Sequence, residues 1–174
     1  MKVREIVIKE ELAHIMLTKG HTCILNVEDL SLVSEFNWRS EIALKPNGEI
    51  RTVYAVRKPR VSETYTCTVR MHRIILNCPD NLQVDHVNGN GLDNRRENLR
   101  IVTESQNTQN QRIKSSNKSG HKGVFWHKHR NKWMAQIGIE GRQIYLGSFI
   151  NIEDAVFEYE RASEKLHKEY KYRQ

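Results

Sequence analysis

Apolar and polar residues alternate with a period of two along several short stretches of the chain, and a helical period appears in only a few places. Residues 22–27, 51–57 and 64–69 carry β-type patterns. Between the first two, residues 29–38 place Leu30, Val33 and Phe36 at helical spacing. Pro46-Asn47-Gly48 and Lys58-Pro59-Arg60 mark turns. Residues 71–76 predict a short helix. Two strands follow, one ending at Asp85-His86 and one over 99–103, separated by a loop rich in Gly and Asn. Thr103-Glu104-Ser105-Gln106 is a capping box: the Thr hydroxyl can accept from the Gln106 N–H while the Gln side chain reaches back. It starts a helix at about Glu104 and puts Asn107 in the first turn.

Residues 113–120 are polar and basic and predict a linker. Beyond it, Val124–His127, Lys132–Ile139 and Arg142–Phe149 read as three strands, with Glu140-Gly141 as a tight turn between the last two. Asn151 is placed to cap a helix over 152–167. Its apolar stripe of Ala155, Tyr159, Ala162 and Leu166 would face the sheet. The expectation is an α+β protein in three modules. Residues 1–69 are strand-rich, 70–112 form a ββα core, and 121–174 form a three-stranded antiparallel sheet packed on one helix.

Length and composition narrow the class. A chain of 174 residues allows one domain or two small ones. With 38% apolar and 28% charged residues it is globular rather than disordered. Its apolar runs are too short to span a membrane, and the N-terminus lacks the apolar core of a signal peptide. An intracellular protein is expected, not secreted and without a membrane partner. Cys23, Cys67 and Cys78 form no Cys-x-x-Cys pair and read as reduced thiols. The net charge of +7 is concentrated: between Arg112 and Arg142 the only acid is Glu140. A localised basic stretch points to a polyanion.

The residues around the first hairpin carry the chemistry. Phosphodiester hydrolysis needs a water nucleophile, a base to deprotonate it and a cation for the leaving oxygen. His86 can be the base, because imidazole titrates near neutrality. Asp85, its neighbour, points to the other face of the strand. Asp85 and the Asn107 carboxamide are hard oxygen donors suited to Mg²⁺. Each residue alone has a bland reading as turn, loop or solvated helix. The Gly and acidic positions of the loop do not match calcium-loop spacing. The combination is what points to a nuclease.

That combination resembles the His-Asn-His (HNH) nuclease family with its ββα-metal fold. The resemblance rests on Asp85-His86, on Asn98 twelve residues after His86, and on Asn107 nine later, with Asn-Leu-Arg-Ile-Val-Thr between. It implies His86 as general base and Asn98 as a brace of the hairpin loop that orients His86. It implies Asp85 and Asn107 as ligands of one divalent ion, expected to be Mg²⁺ with Mn²⁺ able to substitute. Many members have His where this chain has Asn107; phage and intron-encoded homing members with Asn there look similar. His72-Arg73 also resembles the family, with Arg73 a candidate phosphate contact. Leu17-Thr18-Lys19-Gly20 and Asn37-Trp38 are similar to a module that precedes this domain in phage HNH proteins; Trp38 is expected in the core.

Residues 120–170 resemble the plant ethylene-response-factor (APETALA-type) DNA-binding domain. The match lies at Gly123-Val124, residues 132–137, Tyr145-Leu146-Gly147-Ser148-Phe149 and Ala155 through His167. It implies a sheet that reads DNA with a helix behind it. Candidate contacts are Lys122, Trp126, Lys128, Arg130, Trp133, Arg142 and Tyr145. Phe125-Trp126-His127 replaces the plant domain's Arg-rich first strand. The expected function is a metal-dependent endonuclease of homing, phage or mobile-element type that cuts duplex DNA at a site chosen by the C-terminal domain. The alternative is a non-catalytic DNA-binding regulator with a decayed HNH fold. An RNA-binding protein is a third class, for which no motif is recognisable.

Overall fold

The first strands are rich in the β-branched and aliphatic residues that favour extended backbone, and alternate positions of β2 and β3 supply the buried side. In the computed structural model, which describes residues 5–110, 113 and 117–167, β1 (Ile6–Lys9), β2 (Leu12–Met16) and β3 (Thr22–Asn26) make an antiparallel meander. Ala13, Ile15, Cys23 and Leu25 point inward and are buried, whereas His14 and Ile24, paired between them on the other face, are half-buried. β4 (Arg39–Leu44), β5 (Ile50–Arg57) and the two-residue β6 (Val69–Arg70) make a second sheet. α1 (Met71–Ile75) follows at once. β7 (Gln83–His86) and β8 (Leu99–Val102) then pair as a hairpin, and α2 (Glu104–Asn110) comes after them.

One apolar core serves both the N-terminal strands and the hairpin. Leu25, Trp38, Ala55, Met71, Ile75 and Leu99 all contribute to it. Full burial of each large side chain is worth about 1.5–3 kcal/mol, and the Trp38 indole N–H keeps a partner by donating to the Val33 carbonyl at 2.9 Å. The chain divides into two compact units, Met1–Val102 and Thr103–Gln174. The boundary expected at 69/70 thus runs through a shared core, and the boundary between the compact units lies just before α2.

The second unit holds β9 (Val124–His127), β10 (Lys132–Ile139) and β11 (Arg142–Phe149) in the order β11-β10-β9, packed on α3 (Ile152–Leu166). Glu140 and Gly141 both take positive φ, 47° and 77°, as a two-residue hairpin turn of this hand requires. Val124, Ala135, Ile137, Ala155 and Tyr159 form its core.

Four local expectations are corrected. Residues 29–38 do not form an α-helix: a 3₁₀ turn covers Val27–Leu32 and the chain then bends, because Asp29 is turned inward for an ion pair. Residues 64–69 carry a strand pattern, but only Val69 and Arg70 pair along β5. Asn151 occupies the N-cap position of α3 without a capping hydrogen bond from its side chain. On α3 Ala155 and Tyr159 are buried and Ala162 packs against the core as the stripe predicts, but Leu166 is exposed; Ser163 and, just past the helix end, His167 are buried instead, with His167 Nε2 held 3.0 Å from the Gly138 carbonyl of β10.

Candidate active site

The hairpin register builds the site. Asp85 stands opposite Arg100 and His86 opposite Leu99. Asp85, His86 and Asn98 are all buried, at 8%, 5% and 5% exposure. Asn98 spans the intervening loop: its carboxamide oxygen accepts from the Asn88 N–H at 3.0 Å, and its NH₂ donates to the Asp93 carbonyl at 2.8 Å. Asp93 accepts two guanidinium bonds from Arg95, both 2.8 Å, and a third from the Asn88 side chain. These donors hold the Asp93 carboxyl below the usual carboxylate range.

The loop leans on the N-terminal strands. The Ile24 N–H donates to the Leu92 carbonyl at 2.9 Å, and the Asn94 N–H to the Ile24 carbonyl at 2.7 Å. Gly91 lies against β5, where a Cβ would meet the Val53 carbonyl oxygen at 2.5 Å and the Tyr54 ring at 2.6 Å. Only glycine allows that approach. Asn94, fixed by β3, is the residue that meets the imidazole: its carboxamide oxygen is 3.4 Å from His86 Nε2, and its own NH₂ faces the Leu92 carbonyl. That arrangement puts the proton on Nε2 and leaves His86 Nδ1 as the lone-pair nitrogen. Burial pushes His86 below the ordinary imidazole range, opposed by Asn94, Asp85 and Asp93. A neutral, oriented imidazole is the form a general base needs.

Two further rings line the site: one from a residue that the sequence did not single out, and one from His72, noted there only as part of the His72-Arg73 pair. Tyr54, on β5, and His72, on α1, lie with ring centroids 5.9 and 4.9 Å from that of His86. Arg100 is a third addition: its Nε and Nη2 donate to Asp85 Oδ2 at 3.0 and 2.8 Å. The directly opposed register of Asp85 and Arg100 was the available signal for it. Arg73 donates to the carbonyls of Leu82, Cys78 and Pro79, so it ties the turn after α1 to the start of β7. Asn107 sits half-buried in the first turn of α2, in the second unit, and its N–H donates to the Thr103 carbonyl. Both bonds of the Thr103–Gln106 capping box are present, at 2.8 and 3.3 Å. Among the described residues no three His, Cys, Asp or Glu side chains cluster to hold a metal ion. Asp85 is the hard oxygen donor that the hairpin itself supplies.

In the second unit, the β9–β10 and β10–β11 registers sort the candidate contacts onto two faces. Trp126 pairs with Trp133 on the face that also carries Val124 and Ala135, the α3 side, and the two indoles meet edge to face at 5.3 Å. Tyr145 pairs with Gln136 on the opposite face, with Phe125 and Met134. Tyr145 is 54% exposed. Lys128, Arg130 and Arg142 are exposed, whereas Lys122 is half-buried and its amine is pushed down to about 8 by desolvation.

Comparison with known proteins bears on the hairpin. Residues 77–109 match the HNH endonuclease family. The chain is also similar to Protein 3.8 of Escherichia phage T7, 37% identical over 65 residues, which is 37% of this chain and 54% of that protein. The chain thus spans about half the length of this curated relative. No solved structure matches. The family match ends before the C-terminal sheet, and neither comparison supports the expected likeness of residues 120–170 to the plant DNA-binding domain. No helix among the described residues is long and apolar enough to cross a membrane.

Proposed function

We propose that this chain is a metal-dependent DNA endonuclease of phage or mobile-element type, with the β7–β8 hairpin as its cutting centre and residues 121–174 as the part that holds the site on duplex DNA. The observation that carries the reading is the environment of His86: buried, neutral, and oriented by Asn94 so that one nitrogen is free to take a proton. In the reaction, His86 Nδ1 accepts a proton from a water molecule, the water oxygen bonds to phosphorus, and the bond from phosphorus to the leaving sugar oxygen breaks. Asn98 keeps the loop closed so that His86 does not swing. Asp85 and Asn107 would hold the divalent ion. The ion, when bound, supplies charge stabilisation for the phosphate and the leaving oxygen.

Lys128, Arg130 and Arg142 supply exposed cations for the phosphate backbone, and Tyr145 a flat side chain on the uncovered sheet face. Trp126 and Trp133 support that sheet from the helix side. Lys122 and Arg73 remain candidates for contact at its margins and beside the hairpin.

One observation favours the second reading, a DNA-binding protein that does not cut. The Asp85 carboxylate is engaged by Arg100, and a carboxylate spent on an ion pair is a poorer metal ligand. Incubation of the full chain with supercoiled plasmid in Mg²⁺, and again in excess chelator, separates the two. The endonuclease relaxes or linearises plasmid only with the ion present, and Asp85→Ala behaves like the chelated wild type. Binding without cutting under all divalent ions establishes the regulator instead.

A further inference from the structure

His72 is 4% exposed, and among the described residues its Nδ1 is buried with no hydrogen-bond partner. A buried polar atom left unpaired bears the full cost of its desolvation. Native folds carry few such atoms, and each calls for a reason. A phenyl ring would fill the same space at none of this cost. The location supplies the reason: the His72 ring meets the His86 ring nearly at right angles, 85°, with centroids 4.9 Å apart, and Tyr54 closes the third side at 5.6 Å. Edge-to-face contact of this kind has a preferred orientation, set by the ring quadrupoles. It therefore resists rotation of His86 about its own side-chain bonds. His72 itself is anchored from the first turn of α1, whose start is set by β6 pairing along β5. Burial, with Arg70, Arg73 and His86 nearby, pushes His72 to about 3, so it adds no charge beside the base.

We propose that His72 is a positioning residue for His86: it holds the plane of the base by ring contact, and its Nδ1 receives its hydrogen bond from the hydrated, substrate-loaded site rather than from the chain. This rests on the nuclease reading above. The ring and the nitrogen are separable by substitution. His72→Phe keeps the ring and removes the nitrogen. His72→Asn keeps a polar atom near the Nδ1 position and removes the ring. His72→Leu removes both.

The test compares these full-length variants by plasmid cleavage kinetics, by DNA affinity in chelator, and by the long-range proton–nitrogen NMR signals of the His86 ring. Expected are unchanged DNA affinity for all three, a kcat lowered about tenfold or more in His72→Phe without a matching change in KM, partial recovery in His72→Asn, and the largest loss in His72→Leu. In the wild type the His86 signals report a single tautomer protonated on Nε2; in His72→Leu they report a mixture. A His72→Leu protein that folds, cleaves within twofold of wild type and leaves the His86 signals unmoved overturns the proposal. A wild type that never cleaves removes the nuclease reading, while the NMR comparison still decides whether His72 holds His86.

Discussion

Replacing Arg96 by Ala tests whether the nuclease hairpin and the N-terminal strands are one cooperative structure. Arg96 lies at the end of the hairpin loop, and its guanidinium reaches Asp29 in the 3₁₀ turn that follows β3. Nε donates to the two carboxylate oxygens at 3.0 and 2.9 Å, and Nη2 donates to Oδ1 at 2.6 Å and to the Ile75 carbonyl at 3.2 Å. Asp29 is 2% exposed, so the substitution strands a carboxylate in the interior. Breaking a buried pair in this way costs about 3–5 kcal/mol. The Arg96 side chain is itself 47% exposed, and water can enter where it leaves, so a cost at or just below the bottom of that range, about 2–3 kcal/mol, is expected here. Asp29→Asn in the Arg96→Ala background removes the stranded charge and should recover at least ~1 kcal/mol, the signature of coupling in a double-mutant cycle. The assay is urea unfolding followed by Trp38 fluorescence, with Trp126 and Trp133 changed to Phe so that Trp38 is the only tryptophan reporting. Hydrogen exchange of hairpin amides runs alongside it. A loss below ~0.5 kcal/mol, or hairpin amides that open independently of Trp38, would refute the claim that the two parts fold as one.

Three further outcomes follow from the geometry. His72 sits at about 3 in the folded chain against an ordinary 6.5, so the unfolded chain binds a proton that the folded chain refuses. Stability is therefore complete above pH 6.5 and is lost as pH falls toward 3, by about 1.4 kcal/mol per unit, or ~2 kcal/mol at pH 5. His86, shifted the same way, adds to the loss. His72→Phe should flatten the decline, and identical pH slopes in the two proteins would count against the buried neutral imidazole. Gly91→Ala drives a Cβ into the Val53 carbonyl and should lower stability by about 1–3 kcal/mol and slow cleavage; an unchanged melting temperature would contradict the close approach. On duplex DNA, Arg142→Ala should reduce the log–log salt slope by about one unit, and Tyr145→Ala should weaken binding without changing it. The reverse pattern would move the interface elsewhere.

The second unit was largely legible because its signals are local. Period-two runs, a two-residue turn with Glu140-Gly141 and a helix stripe lie next to one another in the chain. The first unit was less so. β1 and β2 turn at Glu10, a non-glycine residue with φ 55°, and Val7 and Ile8 remain partly exposed, so neither turn chemistry nor alternation announced them. The helical spacing over 29–38 failed because tertiary demands won: Asp29 is drawn inward by Arg96 and the Trp38 indole by the Val33 carbonyl. At the site, Asp85, His86 and Asn98 stood out as a spaced motif. Their partners did not. Asn94 meets His86 only because β3 holds the loop, Tyr54 arrives from β5, and His72, noticed beside Arg73, gave no sign that its ring meets His86.

Whether His86 is the base of a phosphodiesterase centre is read out by Mg²⁺-dependent plasmid cleavage by His86→Ala beside the wild type, with duplex affinity measured on the same samples in chelator. The account predicts a fall in cleavage of about 10²–10⁴-fold with affinity unchanged, because the base is lost and the cationic surface is not. Cleavage by His86→Ala within a factor of two of the wild type contradicts it.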